Sequence, residues 1–339
     1  MRISSHICAL AVSALVSVLA CATAGQAADP PKIRFGWIVP VTNIAPVLFA
    51  KEGLSRHNGK SYTYEAVRFQ GSPNMVTALA TGEIEIALLA WSSIGIAIEN
   101  AGLNDVRVVA DEIQEGIDGH YTHEYMVLKD GPIKKTADLK GKNLGTNIKG
   151  AAVDIAMRAM TRKVGLEFPR DYNIIEASFP NMKALLFEKK LDLIPGVLPF
   201  SLDPELREKS NVLFTEKDAM GPSELGFLVM KSEFIQKNRA AVVDFMEDYI
   251  RAVRWFIDPA NHKEAVGIQA NFAKIPAERI EGWLFTQKDY YRDRSAKPNL
   301  KSLQSNLDTQ RELGFLKTNI DIKKFADLSL IEDAAKRIK

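Results

Sequence analysis

Residues 62–100, YTYEAVRFQGSPNMVTALATGEIEIALLAWSSIGIAIEN, read as strand, helix, strand and helix in turn. Residues 62–69 are rich in β-branched and aromatic side chains, the composition of a strand. Gln70-Gly71-Ser72-Pro73 interrupts that run, and residues 74–81 follow as a helix. Gly82 then stands in the C′ place, where a left-handed backbone ends a helix. Residues 84–90 form a second apolar strand, and Trp91-Ser92-Ser93 opens a helix that runs to Asn100. Two strands each followed by a helix make the repeating unit of a mostly parallel sheet covered by helices.

The same alternation extends in both directions. Upstream, residues 32–39 (KIRFGWIV) read as a buried strand, and residues 44–51 as a short helix ended by Gly53. Downstream, strands are expected at 106–111, 124–128, 143–146, 172–177 and 191–195, with helices at 151–164 and 181–189. After a last strand at 225–231 the pattern changes. Helices are expected at 233–257, 262–272, 276–284, 300–313 and 322–337. This asymmetry predicts two α/β lobes and a helical tail packed back on one of them. No tandem repeat is visible.

Composition narrows the function. The chain has 339 residues, 46% hydrophobic and 25% charged, and its 44 Lys+Arg against 42 Asp+Glu leave a net charge of +2. That balance argues against a nucleic-acid binder, which carries a clustered basic excess. Arg2, the apolar run 7–20 and the small residues of Thr23-Ala24-Gly25-Gln26-Ala27 are the parts of a secretory signal, with cleavage expected after Ala27. The run is shorter than the roughly 20 apolar residues of a spanning helix. An alternative is a lipoprotein box at Val18-Leu19-Ala20-Cys21, with Cys21 acylated, although Leu19 is bulky for that site. Both cysteines, Cys8 and Cys21, fall in this segment, so a chain starting at Ala28 holds no disulfide, thiol nucleophile or thiolate metal site. The longest later apolar stretch, 86–98, falls short of a membrane span. The expected location is outside the cytoplasm.

Enzyme signatures are missing. The sequence has no G-x-x-x-x-G-K-[ST], no G-x-S-x-G and no H-E-x-x-H. His120 and His123 have H-x-x-H spacing with Glu124 adjacent, a partial metal pattern; in an extended segment, however, the two rings face opposite ways. No metal site and no cofactor is expected. What recurs is a strand, a loop of small or hydroxyl residues, then a helix N-terminus: Thr42-Asn43, Gly71-Ser72, Trp91-Ser92-Ser93, Asn147 to Ala152, and Asn181. Helix N-termini carry unpaired N–H groups and the positive end of the helix dipole, so several together bind an anion. The alternative for each loop is plain N-capping. Their shared position at the carboxyl ends of strands is where open α/β sheets bind ligands.

At these loops the chain resembles a family. Residues 37–53, Gln70-Gly71-Ser72-Pro73, ALATGEIEIALLAWSS, IKKTADLKGKNLGTN at 133–147, and ELGFL followed by DLSLIEDAAK resemble the solute-binding proteins of ABC importers for nitrate, sulfonates and taurine. Pyrimidine-precursor binding proteins belong to the same superfamily. Its pyrimidine synthases use a cysteine cluster that this chain lacks after residue 27. The resemblance implies the bilobal periplasmic binding protein fold of type II, with a hinge crossed twice. Lobe one would be 28–120 plus 225–339, and lobe two 121–224. It also implies a monomer that captures a small organic anion, a sulfonate or carboxylate and aromatic ones included, for an ABC permease and ATPase. The candidate ligand contacts are Thr42, Asn43, Gly71, Ser72, Trp91, Ser92, Ser93, Tyr121, Asn147, Gly150, Ala151, Asn181 and Phe200. Trp91 and Phe200 either stack on a flat ligand or pack in the core, and Arg68 is either a ligand cation or a solvated side chain. A secreted enzyme or a chemosensory protein on the same fold is the alternative function.

Overall fold

A computed structural model describes residues 29–338. The expected signal segment and both cysteines lie outside them. The first lobe begins with β1 (Lys32–Trp37), β2 (Thr63–Arg68), α1 (Ser72–Thr81), β3 (Ile86–Ala90), α2 (Trp91–Asn100) and β4 (Val106–Glu115). β1 pairs in parallel with β2 and β3. Gly82 ends α1 at φ 75°, the left-handed turn that glycine adopts without a Cβ clash. α1 lies close on β1, since a Cβ at Gly36 would come within 2.9 Å of Met75 and Ile84.

The second lobe holds β5 (Glu124–Leu128), β6 (Asn143–Thr146), α3 (Ala152–Lys163), β7 (Asn173–Glu176), α4 (Phe179–Phe187), β8 (Ile194–Gly196), α5 (Pro204–Lys209), β9 (Ser210–Thr215) and α6 (Glu216–Met220). β5 lies antiparallel between β8 and β9, and β6 pairs in parallel with β7. A parallel bridge from Leu144 to Leu193 joins the two pieces, giving the order β7-β6-β8-β5-β9. The chain then returns through β10 (Ser223–Lys231), which inserts antiparallel between β3 and β4. The first sheet therefore has the order β2-β1-β3-β10-β4. Each lobe has the same plan: its second, first and third strands, then a strand from a lobe crossing, then its fourth. Where the crossings meet, Ser223 of β10 pairs with Glu115 of β4.

The tail comprises α7 (Ser232–Phe256), α8 (His262–Ala273), α9 (Leu300–Glu312) and α10 (Ser329–Ala335). It covers the first sheet. Phe245 of α7 meets Phe35 of β1 edge-on at 6.4 Å and stacks on Tyr64 of β2 at 6.1 Å. A Cβ at Gly95 would lie 2.7 Å from Leu316, so α2 too is pressed against the tail.

Several expectations need correction. Each sheet is mostly parallel as expected, but one strand that arrives from the other lobe, β10 in the first sheet and β5 in the second, runs against its neighbours. The helix expected at 44–51 is only a 3-10 turn, Ala45–Val47, and that at 276–284 only Ala277–Arg279. The single helix expected at 322–337 is divided: Ala326 is extended and bridges Val108, and Asp327 N–H donates to the Val108 carbonyl. β4 continues past the expected end at Asp111 through Glu112-Ile113-Gln114-Glu115, all buried. Their polarity hid them as strand residues. The helices α5 and α6 and the strand β9 had no strong sequence signal.

Candidate functional site

Four helices begin at the carboxyl ends of strands or of the loops that follow them, and all four open on one cleft. The N-terminal residues of α1 and α2 from the first lobe, and of α3 and α4 from the second, line a cavity of about 1180 Å³. Their N-cap residues, Gly71, Ala90, Ala151 and Ser178, provide no side-chain cap to the first turn. By contrast α5, α6 and α9, away from the cleft, are capped by Asp203, Thr215 and Asn299. Missing caps are not diagnostic alone, since α7, α8 and α10 also lack them. What distinguishes the four is that their unpaired N–H groups and dipole ends share one cavity.

The charge of the lining agrees. It includes Arg68 and Lys149, both exposed, and no Asp or Glu. The Arg68 guanidinium rests 5.5 Å from the centre of the Trp37 ring. Most of the remaining wall is apolar, including Phe69, Val76, Ile148, Phe179 and Leu225.

The cleft brings together ten of the thirteen expected contacts: Thr42, Asn43, Gly71, Ser72, Ser92, Ser93, Asn147, Gly150, Ala151 and Phe200. Their roles differ. Thr42 is buried, its carbonyl accepts from Arg292 Nη2 at 2.7 Å, and its hydroxyl has no protein partner. Asn147 Oδ1 is likewise without one. Asn43 is committed to its own loop: Oδ1 accepts from the N–H groups of Ile38 and Val39 at 3.1 and 2.7 Å. Ser72 Oγ accepts from Ala90 N–H at 3.1 Å, tying the start of α1 to the end of β3. Its own hydrogen stays available to donate. Ser92 and Ser93 are buried at the start of α2.

The backbone N–H groups expected to meet an anion at Gly150 and Ala151 are in use. Gly150 N–H donates to Asp154 Oδ2 at 2.7 Å and Ala151 N–H to the Ile148 carbonyl at 3.1 Å. The unpaired donors of this helix begin one residue later, at Ala152, because the Asp154 carboxylate turns back on the loop.

Three expected contacts lie elsewhere. Trp91 is completely buried, so of its two roles the structure selects packing. The Tyr121 hydroxyl is held by the Gly196 carbonyl and the Ser201 hydroxyl at 2.9 and 2.7 Å. Asn181 is exposed on the outer side of the α4 start. Phe200, 37% exposed, does face the cleft.

The cleft wall also contains His123 and Tyr290, which sequence reasoning missed as ligand contacts. His123 Nε2 lies 2.9 Å from the Tyr290 hydroxyl, and Nδ1 lies 2.9 Å from Glu216 Oε2 and 3.2 Å from Glu115 Oε2. Burial and the nearby Glu216 push the Glu115 carboxyl well above the usual range. Burial works the same way on Glu216, but the hydrogen bond and charge of His123 outweigh it and hold that carboxyl low. The H-x-x-H pattern is not a unit. His120 turns to the Asp289 carbonyl, and Glu124 pairs with Arg207 at 2.6 Å.

Two α/β lobes with this strand order, joined by two crossings and opposed across a cleft of helix N-termini, define a type II periplasmic binding protein fold. The chain belongs to the NMT1-like family, whose family model matches residues 26–270. Its fold is similar to that of the aliphatic sulphonate binding protein SsuA from Escherichia coli: 19% identity and a TM-score of 0.70 over 88% of this chain and 92% of that one. The nitrate-binding protein NrtA from Synechocystis PCC 6803 is similar at 16% identity, with a TM-score of 0.70 over 92% and 90%. The desulfurization enzyme DszB shares the fold at 12% identity, with a TM-score of 0.66 over 91% and 100%. No curated protein matches the sequence. No helix among the described residues is long and apolar enough to cross a membrane.

Proposed function

We propose that this protein is the extracytoplasmic substrate-binding component of an ABC importer. It captures an organic sulfonate or carboxylate, aromatic ones included, between its two lobes and delivers it to a permease. The observation that carries this reading is the convergence of four helix N-termini on a cleft whose lining has two cationic side chains and no carboxylate. The volume and the apolar wall favour an anion with a substantial hydrocarbon body over nitrate, because most of the cavity offers nothing to a small ion. Catalysis is the weaker reading, although the fold also serves an enzyme. Both ring nitrogens of His123, the histidine in the wall, are already engaged, which leaves Ser92 and Ser93 without a free base.

A calorimetric and thermal-shift screen of aliphatic and aromatic sulfonates and carboxylates, with nitrate alongside, tests the proposal. Saturating ligand at 100 times Kd stabilises by about 2.7 kcal/mol, a clear rise in Tm. The ligand should be recovered unchanged after hours. Binding of nitrate alone, or turnover proportional to protein, would reject it. Intact mass after export tests processing: cleavage after Ala27 is expected, and an acylated chain starting at Cys21 would instead indicate an anchored lipoprotein.

A further inference from the structure

Glu115, His123 and Glu216 meet behind the cleft wall, and capture of an anion as described above does not require them. One comes from the end of β4, one from the crossing that leads into β5, and one from the start of α6 just before the return crossing. We propose that these three side chains bind a single divalent transition-metal ion of the zinc type at the place where the two lobe crossings meet.

The donor atoms lie within 4.8 Å of one another, and the imidazole Nδ1 is 2.9 and 3.2 Å from the two carboxylates. Neighbouring ligands in a tetrahedral site are about 3.4 Å apart when the bonds are about 2.1 Å, so a small expansion admits an ion. The donor set selects its type. An imidazole with two carboxylates suits zinc, cobalt and their neighbours, whereas calcium and magnesium require more oxygens.

Charge and hydrogen bonding are consistent with an occupant. Both glutamates are fully buried, and among the described residues neither forms an ion pair with Lys or Arg. Without a metal, protonation of Glu115 relieves the crowding of the two carboxylates; a dication bound in place of that proton would neutralise both. Glu115 Oε1 and Glu216 Oε1 are buried without a hydrogen bond of good geometry, and the Trp91 indole lies beside Glu216. The outer contacts are those of a ligating histidine: Nε2 is held by the Tyr290 hydroxyl, and the His123 backbone N–H orients Glu115 Oε2 at 2.9 Å. His123 and Tyr290 also line the cleft, whereas Glu115 and Glu216 lie behind it.

The test uses the purified protein stripped of metal by a chelator. Cobalt(II) should bind one per chain with the visible absorption of a four-coordinate ion, and zinc should displace it while magnesium does not. Glu216→Gln should weaken cobalt binding by tenfold or more. Tyr290→Phe, which touches no donor atom, should weaken it by about tenfold with the metal-free Tm little changed. If Glu216→Gln does not fold, Tyr290→Phe decides in its place. Absence of stoichiometric uptake means that protons alone fill the cluster and overturns the proposal. So does uptake that survives the deciding substitution at full strength, which would place the ion elsewhere, for example at His57, Asp244 and Glu247. Anion capture is read separately by the ligand screen, so failure of one result leaves the other standing.

Discussion

Ser72 and Ser93 both present hydroxyls to the cleft, but they are not equivalent. Ser72 also accepts the Ala90 N–H, so Ser72→Ala removes a hydroxyl proposed to meet the ligand and strands a backbone group. A hydrogen bond to a charged partner contributes about 1.5–3 kcal/mol, and 1.4 kcal/mol is a factor of ten. Either substitution should therefore weaken ligand binding about tenfold without abolishing it, because the helix N–H groups remain. Only Ser72→Ala should also lower the Tm. Titration and melting of the two variants check this, and parental affinity in both would move the anion to another part of the cleft. Trp91 behaves differently. Its ring is fully buried beside Glu216, with no cleft surface. Trp91→Ala should cost about 3–5 kcal/mol of stability, read as a large fall in Tm; loss of affinity with an unchanged Tm would contradict its assignment to the core.

At the scale of an element, β4 is unusual because its last residues are acidic and buried. Burial, its largest cause in each case, pushes both Asp111 and Glu112 up to about 7. Glu112 works as a bracket: its carboxylate accepts the Ile44 N–H at 3.0 Å and faces the Asn43 side chain, fixing the loop that carries Thr42 into the cleft. Between about pH 4.5 and 7 the folded chain holds protons that the unfolded chain has released, so stability falls as pH rises through this window. Glu112→Gln keeps an oxygen for Ile44 and cannot ionise. It should melt at a higher temperature than the parent at pH 8, by an amount on the order of 3 kcal/mol, and lose that advantage at pH 5. An unchanged pH slope in the variant would show that Glu112 is not responsible.

For the whole molecule, the two lobes meet at paired crossings, where Ser223 lies beside Glu115. The tail adds a second contact: Arg162 of α3 donates to the Glu312 carbonyl at 2.7 Å, and Arg158 lies over the Phe315 ring at 5.1 Å. A ligand that touches both walls favours whichever arrangement brings them closer, since only differential contact shifts a conformational equilibrium. Saturating ligand should reduce the radius of gyration measured by X-ray scattering. An unchanged value with tight binding would mean that one lobe holds the ligand alone.

The sequence by itself determined what depends on neighbours along the chain. Alternating strands and helices, the glycine that ends α1, and the small hydroxyl loops before α1 and α2 were all legible, because propensity, capping and turn chemistry act over a few residues. Ten of the thirteen residues that these loops and their neighbours point to line the cleft. The tertiary structure alone decided which polar groups are already engaged. His123 meets Glu216 at a separation of 93 residues and Tyr290 at 167, and no local pattern records such pairings. The same holds for Gly150 and Ala151, whose N–H groups were expected to be free until Asp154 and Ile148 were seen to take them. It holds for β4, whose acidic end reads as a loop until its partners are in place. Burying a charged strand is tolerable only when distant residues satisfy it, and those residues are brought near by the fold, not by the chain.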